Sequence, residues 1–127
     1  MARVGQFNNQ KIVSSNITVD NTSYVAGESV QIAVPQNITL SLIRISGTLS
    51  GTPPTKITIQ VSRDSTGDEI VIPSTEATFT TGITTAATGV VIYEVEANVY
   101  TKGNLYIHAK VDAATFTWTN TELYWRE

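Results

Sequence analysis

The sequence predicts an all-β protein, an antiparallel β-sandwich. Three observations carry that reading. Apolar and polar residues alternate with a period of two through Val90–Val99 and Asn104–Val111, the spacing of a strand with one face buried. The polar partner is often threonine, most plainly in Thr115-Phe116-Thr117-Trp118-Thr119; β-branched side chains pack well on a pleat and crowd a helix. Turn-forming clusters interrupt the chain at short intervals, and no segment carries helical periodicity.

Residues 1–9 lack periodicity and read as an extended N-terminal arm; residues 10–127 read as one sandwich domain. A first strand runs near Gln10–Val19 and ends at the turn Asp20-Asn21-Thr22. Ser29–Val34 places Val30, Ile32 and Val34 on one face, and Pro35 stops it. The next segment, Asn37–Leu49, changes parity: Ile38, Leu40 and Leu42 share one face, whereas Ile43, Ile45 and Leu49 share the other. Such a swap requires a bulge or a crossing between sheets. After the loop Gly51-Thr52-Pro53-Pro54, Thr55–Arg63 turns Ile57, Ile59 and Val61 inward.

The loop Asp64-Ser65-Thr66-Gly67-Asp68 joins it to Glu69–Pro73, with glycine at the strained position. A short strand around Ala77 and Phe79 follows, then a Thr/Ala loop over 84–89. Val91, Tyr93, Val95, Ala97 and Val99 form the longest clean alternation. Lys102-Gly103-Asn104 turns into Leu105–Val111, and the last strand, Thr115–Trp125, swaps parity after Thr119. About nine strands result, eight of which suit a jelly-roll core.

Composition narrows the function classes. Charged residues are 15% of the chain, against roughly 25% in an average domain. The surface therefore depends on Thr, Ser and Asn for its solubility, a neutrality suited to burial against neighbours. The net charge of −3 has no basic cluster behind it, which argues against nucleic acid. No apolar run reaches the length of a membrane span, and no signal-peptide core follows Met1, so synthesis in the cytoplasm is expected. Asn16, Asn21 and Asn37 begin sequon triplets, which a chain rich in Asn and Thr produces by chance.

Chemistry-bearing residues are few. With no cysteine and one histidine, the chain has no soft ligand set for zinc, and no metal or other cofactor is expected. His108 falls on the polar parity with Tyr106 and Lys110, an outward strand position. A serine or threonine nucleophile would need that histidine or a lysine as its base, and no nucleophile-elbow pattern is present. Asp64, Asp68 and Glu69 cluster at one loop, where turn formation explains them better than calcium does. Glu94 and Glu96 alternate on one strand face; a glycosidase pair would also need a cleft. No catalytic residue is assigned.

Tyr93, Phe116, Trp118 and Trp125 fall on apolar parities and read as core. Tyr100, Tyr106 and Tyr124 fall on the polar parity, so with His108 and Lys110 they form the candidate interface or ligand face, for a subunit or a cell-surface glycan.

Ile45-Ser46-Gly47-Thr48-Leu49 through Ile57-Thr58-Ile59-Gln60-Val61-Ser62-Arg63-Asp64 resembles small virion proteins of tailed bacteriophages. So does Gly103-Asn104-Leu105-Tyr106-Ile107-His108-Ala109-Lys110 with the closing Glu122-Leu123-Tyr124-Trp125-Arg126-Glu127. The similarity covers residues 45–127 in texture, and no site residue is carried over from it. It implies a non-enzymatic β-sandwich on the capsid exterior, a decoration (cement) protein bridging major capsid protein subunits, with cyclic homo-oligomers as its expected form. A tail or fibre component and a carbohydrate-binding sandwich module are the alternatives.

Overall fold

The computed structural model describes residues 9–51, 55–79 and 87–125. Eight strands follow in order: β1 (Asn9–Val19), β2 (Ser29–Ile32), β3 (Thr39–Gly51), β4 (Thr55–Ser62), β5 (Ile70–Phe79), β6 (Ala87–Tyr100), β7 (Leu105–Val111) and β8 (Thr115–Trp125). One sheet has the order β1-β8-β3-β6 and the other β2-β7-β4-β5, every pairing antiparallel. The chain changes sheet at every connection except the β4–β5 hairpin, and strands pair β1 with β8, β2 with β7, β3 with β6 and β4 with β5, which is the expected jelly-roll connectivity. No helix occurs among the described residues.

Most of the expected arm lies outside the described residues; Asn9, assigned to it above, already belongs to β1 opposite Trp125. The two short strands expected at Glu69–Pro73 and around Ala77 are one element, β5. Pro73 interrupts it without ending it, because among the described residues β5 is a sheet edge with β4 as its one partner, and the ladder skips there between Thr75 and Ile72.

Both parity swaps are bulges, and neither is a crossing between sheets. On β3 the inward set steps from Leu40 to Ile43, with Ser41 the extra residue against Trp125 and Tyr124 of β8. On β8 it steps from Trp118 to Thr121, with Thr119 the extra residue against Ser46 and Gly47 of β3. Inserting one residue restores the same face to the core, so Phe116 and Trp118 share one interior with Leu123 and Trp125. Next to the first bulge Asn98 has φ of 50°, a left-handed conformation that asparagine tolerates.

The core lies between the sheets. Leu40, Ile43, Phe116, Trp118 and Leu123 meet Ile57, Ile59, Val61, Leu105 and Ile107, all fully buried. Each contributes roughly 1.5–3 kcal/mol from burial alone. The Trp118 indole N–H finds its acceptor in Thr121 Oγ1 at 2.8 Å, so the deepest polar group of the core is satisfied.

Candidate functional site

The outward residues of the β1-β8-β3-β6 sheet fall into four rows across the strands. Two rows are uncharged: Thr18–Thr117–Thr48–Val90 and Ser14–Asn120–Ser46–Ile92. The third, Ile12–Glu122–Arg44–Glu94, holds an arginine and two carboxylates, and the fourth, Gln10–Tyr124–Leu42–Glu96, holds one more carboxylate. Arg44 donates to Glu94 Oε2 from Nε at 2.8 Å and from Nη2 at 2.6 Å, and Glu122 lies 3.8 Å from its Nη1. The Glu94 hydrogen bond pushes the Arg44 pKa up, and the guanidinium stands 5.9 Å from the centre of the Tyr124 ring. The Tyr124 hydroxyl donates to Glu122 Oε1, and that bond raises its pKa. Arg44, and not Glu96, is thus the neighbour that engages Glu94, on an open sheet face. This is no glycosidase arrangement.

The opposite sheet presents a different face. On β7, Tyr106, His108 and Lys110 point outward, opposite Ser62, Gln60 and Thr58 of β4. The expectation that His108 is exposed is corrected: it keeps its outward parity yet is only 6% exposed. The β1–β2 connection folds over it, bringing the Tyr24 ring edge-on at 6.3 Å between centroids. The β4–β5 loop closes the other side, leaving a cleft of about 210 Å³ lined by Tyr24, Val25, Ala26, Ser65, Thr66 and His108. Burial lowers the His108 pKa, against an opposing pull from Asp64.

A buried glutamate holds the β1–β2 connection in place. Glu28 accepts from the Asp20 N–H at 2.8 Å and from Asn21 Nδ2 at 2.5 Å. Lys110 then sits 4.8 Å from the centre of the Tyr24 ring, a cation–π contact. A second cleft, about 300 Å³, is lined by Thr22, Lys56, Thr58, Glu76, Lys110, Val111 and Asp112.

Folding brings one pair together that sequence reading missed. Ser62, fully buried, lies 2.8 Å from His108 Nε2 across 46 residues of chain. Its hydroxyl proton goes to the Asp64 carbonyl at 2.6 Å, so Nε2–H donates to Ser62 Oγ. An activated serine needs the reverse direction, with the imidazole accepting. The pair ties loop to sheet and is not poised for nucleophilic attack.

The acidic loop is equally committed. Asp64 accepts from the Thr66 hydroxyl and from the N–H groups of Glu69 (2.8 Å) and Asp68 (3.0 Å), which together hold its pKa well below the usual carboxylate range. Gly67, at φ 78°, takes the strained position expected of it. The Asp64 oxygens are spent on the turn.

The five residues of the expected face do not form one surface. Tyr124 lies on the first sheet, whereas Tyr106, His108 and Lys110 lie on the second. Tyr100 stands at the end of β6, 51% exposed, donating its hydroxyl to Asn37 Oδ1 at 2.9 Å. Tyr106 and Tyr124 are only half-exposed, so a single three-tyrosine platform is ruled out. Glu28 and Ser62 carried no sequence signal, since each acquires its role through a loop folding onto a distant strand.

No family model and no curated protein matches the sequence. Among solved structures, a carbohydrate-binding module from the glycoside hydrolase family 9 protein Cel9A of Ruminococcus flavefaciens FD-1 is 10% identical, with a TM-score of 0.56. The alignment covers 93% of this chain and 98% of that one. An isomalto-dextranase of Arthrobacter globiformis T6 is 16% identical over 75% of this chain, with a TM-score of 0.49, and this chain spans 15% of its length. The VP2 subviral particle of infectious bursal disease virus is 13% identical, with a TM-score of 0.41; the alignment covers 99% of this chain and 34% of that one. The first likeness extends the sandwich fold over nearly the whole chain. At TM-scores under 0.5 the other two add nothing to it.

Proposed function

We propose that this chain is a non-enzymatic structural protein of a virion, a capsid decoration protein of a tailed phage. It works by laying the outer face of the β1-β8-β3-β6 sheet against neighbouring subunits. The two uncharged rows of that face are the observation behind this reading. Two of its four rows are hydroxyl, amide or apolar side chains, while the other two gather the charges, Arg44 against Glu94 and Glu122 in one and Glu96 in the other. Hydroxyls and amides can exchange water for partner hydrogen bonds, whereas an unpaired charge in a contact costs several kcal/mol. The resemblance of residues 45–127 to small virion proteins points the same way.

The test is cosedimentation of the purified chain with empty phage capsids, followed by location of its density on the particle. Thr117→Lys places a charge in the middle of an uncharged row and is expected to abolish binding while the melting temperature holds. Absence of the chain from capsids, or binding by Thr117→Lys equal to that of the parent, overturns the reading.

A second reading, a carbohydrate-binding module, is favoured by the cleft beside Lys110. Thr22, Thr58, Lys56, Lys110, Glu76 and Asp112 line it, with Lys56 and Glu76 paired at 3.7 Å, a mix of donor and acceptor residues suited to a polyol. The solved sandwich of similar fold is itself a carbohydrate-binding module. A glycan array decides: binding lost in Glu76→Ala supports this reading, and no binding to plant, bacterial or host glycans removes it.

A further inference from the structure

We infer that β6 is a strand-pairing edge for a second copy of this chain, joining two sandwiches through one continuous sheet. The inference goes beyond attachment to a capsid and stands without it.

The four edge strands of the two sheets, β1, β6, β2 and β5, are built differently. An unpaired edge is a template for another strand, and proteins blunt such edges with short strands, prolines, bulges or inward-pointing charges. β2 is four residues long. β5 carries Pro73 and a broken ladder. β1 has a bulge between Ser14 and Ile17, and its Lys11, opposite Leu123, takes the inward parity. β6 is the exception: fourteen residues without Lys, Arg or Pro, its one irregularity confined to the end near Asn98. Among the described residues it pairs only with β3.

The residues beside that edge are also the most exposed apolar ones. Val90 is 77% exposed and Ile92 54%. An isologous antiparallel seam centred on Val91 sets Val90 of each copy against Ile92 of the other and closes a four-residue apolar patch. A centre on Tyr93 would set Glu94 against Ile92 and forfeit the apolar match, and charge excludes the next register. A seam centred on Val95 would place Glu94 opposite Glu96 of the other copy, a like-charge pair, whereas the Val91 centre keeps the carboxylates apart. A second copy therefore satisfies the open backbone edge, the apolar patch and the charge pattern together.

The experiment uses the full chain, which contains no cysteine. Sedimentation from about 1 µM to about 100 µM is expected to show a monomer–dimer equilibrium, weakened at least about tenfold by Ile92→Lys, with a melting temperature unchanged at the dilute end, where the monomer dominates. Val90→Cys mixed with Ile92→Cys is expected to give disulfide-linked dimers under mild oxidation, and each variant alone much less. A chain monomeric throughout that range overturns the inference. So does a dimer insensitive to Ile92→Lys, or cross-linking no greater in the mixture than in either variant alone. Thr117 lies on β8, two strands from this seam, so Thr117→Lys is expected to lose capsid binding while keeping the dimer, which separates the two readings.

Discussion

Gly47 provides the sharpest test of the packing described here. It lies mid-β3, between Trp118 of β8 and Val91 of β6. A methyl group at that position would stand 2.0 Å from the Thr117 carbonyl oxygen and 2.8 Å from Phe116 Cε1, where real Cβ contacts essentially never fall under 3.0 Å. The backbone of β8 would have to retreat by the difference, 1.0 Å. It has nowhere to go, because β1 pairs with its other edge and Phe116 and Trp118 are fully buried. Overpacking of a tight core costs about 1–3 kcal/mol, and one or two loosened ladder hydrogen bonds add roughly 1 kcal/mol each. Gly47→Ala should therefore lose about 2–5 kcal/mol, a large share of the roughly 5–15 kcal/mol that holds a domain together.

At about 4 °C per kcal/mol for a chain of this size, the midpoint falls by about 8–20 °C. Calorimetry and urea titration measure both quantities. Gly27→Ala is the internal control: its new methyl meets nothing within 4 Å, so a change within about 0.5 kcal/mol is expected. A Gly47→Ala variant within about 1 kcal/mol of the parent would refute the close approach of β3 to β8.

Three further outcomes follow from the structure. Thr121→Val strands the buried Trp118 N–H and should cost about 1–3 kcal/mol by denaturant titration, with Thr121→Ser recovering most of it. Burial lowers the folded pKa of His108, so in mildly acidic solution the unfolded chain binds the proton first; stability then rises with pH, is complete above the ordinary histidine value of about 6.5, and is lost as pH falls through the folded pKa. His108→Gln should flatten the melting temperature across about pH 5–7, whereas the stabilising effect of Asp64, whose folded pKa is depressed, fades only below about pH 4. Glu28→Ala releases the Asp20 N–H and the Asn21 amide, and hydrogen exchange should rise across Asp20–Val25 while the β8 core stays protected.

Strand positions were legible because each depends on local alternation. Val91, Tyr93, Val95 and Val99 read inward and lie inward, since a period of two leaves no choice once one face is buried. Even the parity breaks at Leu42–Ile43 and after Thr119 pointed to real irregularities, although only the register shows them to be bulges. The candidate face was far less legible. Parity says that Tyr106 and Tyr124 both point away from the core, but not that β7 and β8 belong to different sheets. His108 was misread for a related reason: its strand exposes it, and the β1–β2 connection, anchored by Glu28, then covers it.

By itself, then, the sequence determined an all-β sandwich, most of its core residues and the low charge of its outer surfaces, because these follow from side-chain chemistry repeated at strand spacing. Tertiary structure alone decided the rest. Sheet order depends on pairings such as β1 with β8, between opposite ends of the described chain, and edge status depends on which strand has no second neighbour. Val90 and Ile92 read as ordinary members of an alternating strand; their exposure beside an open edge follows from β6 being outermost in its sheet. Local pattern sets which face a residue takes, and non-local pairing sets what lies next to that face.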